Sequence, residues 1–501
     1  MWEKSYRELE ENIRPRENLS LLRREAKAPD VRRTLAKSAG CEELLTGFLQ
    51  SDEPKVRKNA ALLLGDLGLM QAAGPLYDAY RAEETLFVRS AYLTALGQLD
   101  ASAYLEELKA RRDFLASCEA KEEDKKHIAE ELRELENVIA GIEGVGHHTF
   151  AGFSESHEFL LAVSQELRGV TLAGVNDLPA SIRRTASMHP LGVLVCAKEL
   201  RTVASLRTYR ELLFPIHIKR QYAGATEPER LAEAVWHSDM PGILAEMCRE
   251  ETPFYFRLEM RSLMEPDEKG RFARRFADTL TRVSGRGYIN STSDYELEIR
   301  LIGKKEGGYA AFFRLPGLMP ARFSYRKHSI ASSMHPAMAA AVIELAKPYL
   351  KKEAQILDPF CGVGTLLVER SRKMPVREAY GIDIFGDAVH MARENAAAAG
   401  ERINFINRDY FTFRHEYVFD EIITDMPVRQ NTPKEEIDTL YRRFFEKSRE
   451  LLAPGAVIFM CSGEEGFVKK YLRLSQDYNL LEEHCLRRKD RFGMFVIRYK
   501  G

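Results

Sequence analysis

Three textures of apolar and polar positions follow one another along the chain. Up to about residue 142, apolar and small residues recur at helical spacing and no run alternates as a strand would. The stretches "PDVRRTLAKSAG" (29–40), "DEPKVRKNAALLLGDLG" (52–68) and "ETLFVRSAYLTALGQLD" (84–100) share a Val-Arg pair followed by an apolar face. Val56-Arg57 and Val88-Arg89 lie 32 residues apart, as do Gly65 and Gly97. That period predicts stacked helix pairs, each burying its face on the next. The charged segment 119–142 has alternating signs at i, i+4 and predicts an exposed helix, followed by a loop at "EGVGHH". From about Thr149 the pattern is mixed. "GVLVCA" (192–197), "YFRLEMRS" (255–262) and "YELEIRLIG" (295–303) predict strands, and "EKGRFARRFADTLTRV" predicts a helix. From Gln355 onward, short apolar runs alternate with amphipathic stretches, as in a parallel, doubly wound sheet with ligands at the carboxyl ends of its strands. Two final strands meeting around Gly493 predict an antiparallel edge.

The expected organisation is multidomain, α and α/β: helical repeats over 1–145, an α+β domain over 146–319, and a Rossmann-like domain over 320–501. A formal charge of −1, with 45% hydrophobic and 30% charged residues, gives no overall attraction to nucleic acid. Any such binding must come from local patches. Arg271, Arg274, Arg275, Arg282 and Arg286 face Asp278 alone between 271 and 290, and Arg201, Arg207, Arg210, Lys219 and Arg220 form a second group. Each is either a solvated face or an RNA contact. The seven scattered cysteines include no C-x-x-C pair and read as reduced, with no zinc site. The charged start and the lack of a long apolar run lead us to expect a cytoplasmic protein with no membrane partner.

The repeats resemble HEAT repeats. A stacking scaffold with its arginines solvated is one reading, with a protein partner on the concave surface. The other puts Arg32, Arg57 and Arg89 along a groove for nucleic-acid backbone.

The most informative stretch is "ILDPFCGVGT" (356–365), a strand that ends on an aspartate and breaks into a glycine loop. A phosphate-binding P-loop needs Lys-Ser/Thr after its second glycine, and here Thr365 and Leu366 follow Gly364. A dinucleotide fingerprint would put its third glycine at Leu367 and set Asp358 against a pyrophosphate. A ligand with no phosphate and a positive end meets both objections, and S-adenosylmethionine (SAM) is such a ligand. Asp358 suits its amino-acid end, and the turn Cys361, Gly362, Gly364, Thr365, entered through Pro359, allows close backbone approach. Asp383, followed by Ile384, suits the ribose hydroxyls; Asp409, followed by Tyr410, suits the adenine amine. These carboxylates close three successive strands at intervals of 25 and 26 residues, forming one cleft edge.

Residues 320–501 resemble a class I SAM-dependent methyltransferase of the THUMP-associated RNA methyltransferase group, which includes tRNA guanine-N2 enzymes. The resemblance rests on "DPFCGVGT" and on the lead-in "YRKHSIASSMHPAMAAAVIELA" (325–346). Residues 149–319 loosely resemble its THUMP-type RNA-binding module through "LRTYRELL" and "FRLEMRS…GRFARRFADTL". This implies a seven-stranded domain that methylates a base exocyclic amine, guanine N2 foremost, of tRNA or rRNA. Asp425 and Pro427 in "TDMPVRQ" would orient the amine, and Arg271, Arg274, Arg275, Arg326 and Lys327 would contact RNA. No metal is required. Val428 stands where an amino-directed motif carries a stacking aromatic ring, which keeps open a catalytically silent, SAM-binding RNA scaffold; a protein methyltransferase is the third reading.

Overall fold

The computed structural model describes residues 2–501 apart from 118–120, 122, 144–147, 251, 319–320 and 428–431. Val428 and Cys118 therefore lie outside the described residues, as does most of the loop expected at 143–148. The chain divides into two compact units, Met1–His147 with Ser291–Tyr295, and His148–Asn290 with Glu296–Gly501.

The first unit is helical throughout its described N-terminal part. Helix Pro54–Leu67 packs against both Pro15–Glu25 and Leu86–Leu96. Gly65 permits the second contact, because a Cβ there would sit 2.7 Å from the Ala95 Cα. Two expectations need correction. Arg57 does not line a groove: its guanidinium grips buried Glu83 through two bonds of 2.7 and 2.8 Å. Arg89 meets fully buried Glu131 at 3.1 Å, and Tyr80 and Arg111 bind the same carboxylate. The Val-Arg repeat thus carries buried ion pairs that bind one helix layer to the next. For the same reason, helix Lys125–Glu143 is not a merely exposed helix, since Glu131, Leu135, Val138 and Ile139 are all buried.

The second unit holds two sheets. Strands β1 (His157–Ala162), β2 (Arg184–His189), β3 (Gly192–Ala197), β4 (Glu211–Pro215), β5 (Phe254–Arg261), β6 (Tyr288–Asn290), β7 (Leu297–Gly303) and β8 (Tyr309–Arg314) pair in the order β2-β3-β1-β4-β8-β7-β5-β6. Helix Pro266–Val283 turns Phe272, Phe276 and Leu280 inward, which leaves Arg271 and Arg274 on the solvent side. Arg275 is also exposed, but Glu229 holds it at 2.6 and 2.9 Å, so it is not a free cation.

The second sheet comprises β9 (Ala354–Asp358), β10 (Val376–Asp383), β11 (Asn404–Asn407), β12 (Phe419–Asp425), β13 (Leu452–Ser462), β14 (Tyr478–Arg487) and β15 (Phe492–Tyr499), in the order β11-β10-β9-β12-β13-β15-β14. The first five are parallel, and β15 runs antiparallel between β13 and β14. The turn joining the last two strands lies at Arg488–Asp490 with Arg491 left-handed; Gly493 belongs to β15 itself. Near-continuous burial of β9 and β12 accounts for their apolar runs, because helices cover both faces of a parallel sheet.

Arg207, from the second basic group, ties the two sheets of this unit together. It grips Glu369 of helix Thr365–Lys373 at 2.7 and 2.9 Å, and the same carboxylate accepts the Tyr325 hydroxyl at 2.7 Å. Arg322 lies 3.7 Å from the Tyr209 ring centroid and donates to the Leu206 and Tyr209 carbonyls. Arg207 is therefore a structural tie and not a free RNA contact.

Candidate active site

The site forms where the parallel strands end. Leaving β9, the chain passes through buried Pro359 and turns at Cys361–Gly364 into helix Thr365–Lys373. The Cys361 amide donates to the Ile382 carbonyl at 2.9 Å, so the loop is fastened to β10. Gly364 has φ +81°, and a Cβ there would lie 2.7 Å from the Phe405 ring. Both the left-handed backbone and the close approach require glycine.

Asp383 organises this turn. Its Oδ2 accepts the Gly362 amide and its Oδ1 the Phe385 amide, each at 2.9 Å. One carboxylate thus spans the glycine loop and the end of β10 while its remaining lone pairs stay open. Ile384 and Phe385 are exposed beside it. Two asparagines carrying no recognisable motif complete the frame. Asn407 donates to the Asp383 and Ile384 carbonyls, both at 2.9 Å. Buried Asn395 donates to the carbonyls of Val363 and His328 and accepts the His328 amide, fastening the 325–335 lead-in to the loop.

Asp358 is buried, with Oδ1 accepting the Phe360 amide at 3.1 Å. Burial pushes its carboxyl up to about 8, and the charges of Asp425 and Asp383 push the same way. Asp425, the last residue of β12, lies opposite Cys461 in register. It is half-buried, yet its Oδ1 is shielded and has no hydrogen-bond partner among the described residues. Burial pushes this carboxyl up to about 7, while Arg487 at the end of β14 pulls it down. The Thr365 hydroxyl, at the start of the helix, is likewise buried without a partner. Asp358, buried and pressed by the charges of Asp425 and Asp383, forms a site suited to a cation.

Other expected residues fare differently. Asp409 is exposed and uses Oδ1 to cap its own turn at Phe411, 2.8 Å away. The Tyr410 side chain is excluded from a ligand cleft: it is buried against Phe360 and Phe444, with its hydroxyl 3.0 Å from the Ser448 Oγ. Cys361 is buried and its thiol is held well above the usual range by burial, so it is an inert packing group. Pro427 is exposed beyond buried Met426. Arg326 is half-buried, with its Nε shielded and without a partner among the described residues, and Lys327 is exposed.

Residues 324–483 match the model of the UPF0020 family, described as the RMKL-like, methyltransferase domain. Over 158 residues the chain is 30% identical to the tRNA (guanine(10)-N2)-dimethyltransferase of Methanothermobacter thermautotrophicus, covering 31% of this chain and 45% of that protein. It is 33% identical over 90 residues to protein MG259 of Mycoplasma genitalium, covering 18% of this chain and 20% of that protein. The chain thus spans less than half the length of the curated relatives it matches. Among solved structures, TrmN from Thermus thermophilus superposes with a TM-score of 0.51 at 20% identity, covering 69% of this chain and all of that one. SMU.472, solved in complex with SAH, gives 0.50 at 15% identity over 70% of this chain and 99% of that one. These structures establish a shared fold. The C-terminal domain thus has the fold of SAM-dependent methyltransferases, and residues 324–483 match a methyltransferase-domain family.

The residues present fit that cofactor: a buried carboxylate for an ammonium group, a glycine turn open to close approach, and a buried Thr365 hydroxyl with no partner among the described residues. Asp358 supplies a thermodynamic signature. Its stabilising neutral form is fully present below the unfolded-chain value near 4 and is lost as pH rises through about 8. Asp358→Asn should therefore be more stable than wild type at pH 8.5, by about 1–2 kcal/mol, with the difference largely gone by about pH 3.5. The same variant should bind SAM more weakly. Thermal unfolding of the full chain at both pH values tests this, and an equal effect at both would refute it.

Proposed function

We propose that the protein is an RNA methyltransferase that modifies a base exocyclic amine, guanine N2 foremost, with tRNA the first candidate and rRNA the second. The observation that carries this reading is Asp425, whose shielded Oδ1 has no partner among the described residues, at the strand end that opens the Asp-Met-Pro motif. An exocyclic amine has two hydrogens to place, and an acceptor in a low-dielectric site holds one of them strongly. The guanine-N2 chemistry in the name of the Methanothermobacter relative points the same way.

In this reading Asp358 pairs with the cofactor's ammonium group, Asp383 accepts from its ribose hydroxyls and Asp409 from its adenine amine. When bound, SAM supplies a methyl group already activated on a sulfonium, so the protein needs no nucleophile of its own. Asp425 accepts one amine hydrogen and the backbone at Pro427 the other, which turns the nitrogen lone pair toward the methyl group. With a carboxyl near 7, Asp425 is also matched to take up the proton that the methylated amine releases. Arg326 and Lys327 on the lead-in, with Arg271 and Arg274 on the middle helix, supply cations for RNA backbone.

A second reading, a SAM-binding scaffold without activity, draws on Val428 in place of an aromatic ring. Incubation with tritiated SAM and separate pools of tRNA, rRNA and protein distinguishes the readings. Label in an RNA pool is expected. Label only in protein would overturn the proposal, and no label in any pool would favour the scaffold.

A further inference from the structure

The helical unit carries a cavity of about 1510 Å³ that none of the chemistry above uses. Its walls come chiefly from helices Pro15–Glu25 and Pro54–Leu67, and eight lysines and arginines line it against three carboxylates. In a chain whose formal charge is −1, that is a strong local excess of positive charge. Some of these cations are already engaged. Arg23 meets Asp66 at 3.0 Å, Arg14 meets Glu8 at 3.2 Å, and Arg16 lies 3.8 Å from Glu53. Arg24, Lys27, Arg32 and Lys55 are exposed, and among the described residues none has a carboxylate within salt-bridge distance.

Gathering unneutralised cations around one concavity raises the energy of the free protein through mutual repulsion, and a bound polyanion relieves it. The first helix sets part of the spacing: Arg16 and Arg23 lie seven residues, about two turns or ~10.5 Å, apart on one face, and Lys27 follows just past the helix end. The wall also contains Phe87, partly exposed, with the Lys58 Nζ 5.9 Å from its ring centroid. An aromatic face amid cations is what an unpaired base stacks on; a purely acidic protein partner would not need it.

We propose that this groove binds the phosphate backbone of RNA, with Phe87 offering a stacking face for an unpaired base. The proposal rests on the RNA reading above and extends it to a surface outside the methyltransferase domain. It also reassigns the arginines of the repeat: Arg32 faces the groove, while Arg57 and Arg89 hold the helices together.

The test is tRNA binding by the full chain, wild type against the combined variant Arg24→Gln, Lys27→Gln, Arg32→Gln, measured across a salt series. All three side chains are exposed, so the variant should fold, and an unchanged helical circular-dichroism signal and melting profile will show that it has. The expected result is a drop in tRNA affinity of about 10- to 100-fold at low salt, with the log–log salt slope smaller by about two to three. Phe87→Ala should weaken binding of unpaired RNA and leave the slope unchanged. If wild type binds tRNA and the variant binds it equally with the same slope, the groove proposal is wrong while the methyltransferase reading stands. Displacement of tRNA by polyglutamate at equal charge concentration would overturn it in favour of an acidic protein partner. If wild type neither binds nor methylates tRNA or rRNA, the underlying RNA reading fails and the groove proposal falls with it.

Discussion

Replacing Asp425 with alanine should abolish methyl transfer, lowering the rate on the order of 100- to 10,000-fold, while SAM affinity stays within a few-fold of wild type. The asymmetry follows from position. Asp425 closes β12 and its shielded Oδ1 has no partner among the described residues, as expected of a contact that forms when the acceptor amine arrives. Steady-state kinetics should show kcat and kcat/KM falling together, as expected for an interaction made in the transition state. The pH profile gives a second readout. The carboxyl stands near 7 because burial penalises its charge, and the ionised form is the better hydrogen acceptor and the one able to take a proton. At saturating SAM, the rate should therefore rise with pH through about 7 and level off above it, and Asp425→Asn should lack that step. Activity that survives Asp425→Ala would rule out amine chemistry through this motif and favour a carbon or ribose-oxygen acceptor.

Asp383→Ala should weaken SAM binding by roughly 2–4 kcal/mol, about 30- to 1000-fold, since charge-assisted bonds to the ribose are lost. The structure adds a second cost. Asp383 accepts the amides of Gly362 and Phe385, so its removal also frees the glycine turn. Asp383→Asn retains one acceptor oxygen and should fall between the two. Calorimetry on the full chain tests the series, and unchanged affinity in a folded Asp383→Ala protein would remove this residue from the site.

The methyltransferase domain was largely legible because its strands are buried on both faces and read as plain apolar runs, and because "DPFCGVGT" joins a strand end to a turn only glycine can make. The middle sheet was less so. β2 is a polar strand on the sheet edge, β4 is short, and β7 buries Glu298 and Arg300 where an apolar pattern would be expected. Those charges are tolerated because Arg300 bonds both Glu211 and Glu298, and Arg314 joins them. The arginine readings failed where the partner lies far along the chain. Nothing near Arg57 or Arg207 announces Glu83 or Glu369, which stand 26 and 162 residues away. Asn395 and Asn407 escaped notice for a related reason: an amide that clamps backbone carbonyls belongs to no motif. The direction of the Tyr410 side chain was not legible because adjacency to Asp409 says nothing about it, and the chain turns the ring into the core.

Whether Asp425 directs methylation to a base amine of RNA is tested most directly by one measurement. Full-length protein is incubated with tritiated SAM and bulk tRNA, the RNA is digested to nucleosides, and the labelled species is identified for wild type and Asp425→Ala. The account predicts label in N2-methylguanosine from wild type and none from the variant. Label on a ribose oxygen or a base carbon, or equal label from both proteins, would contradict it.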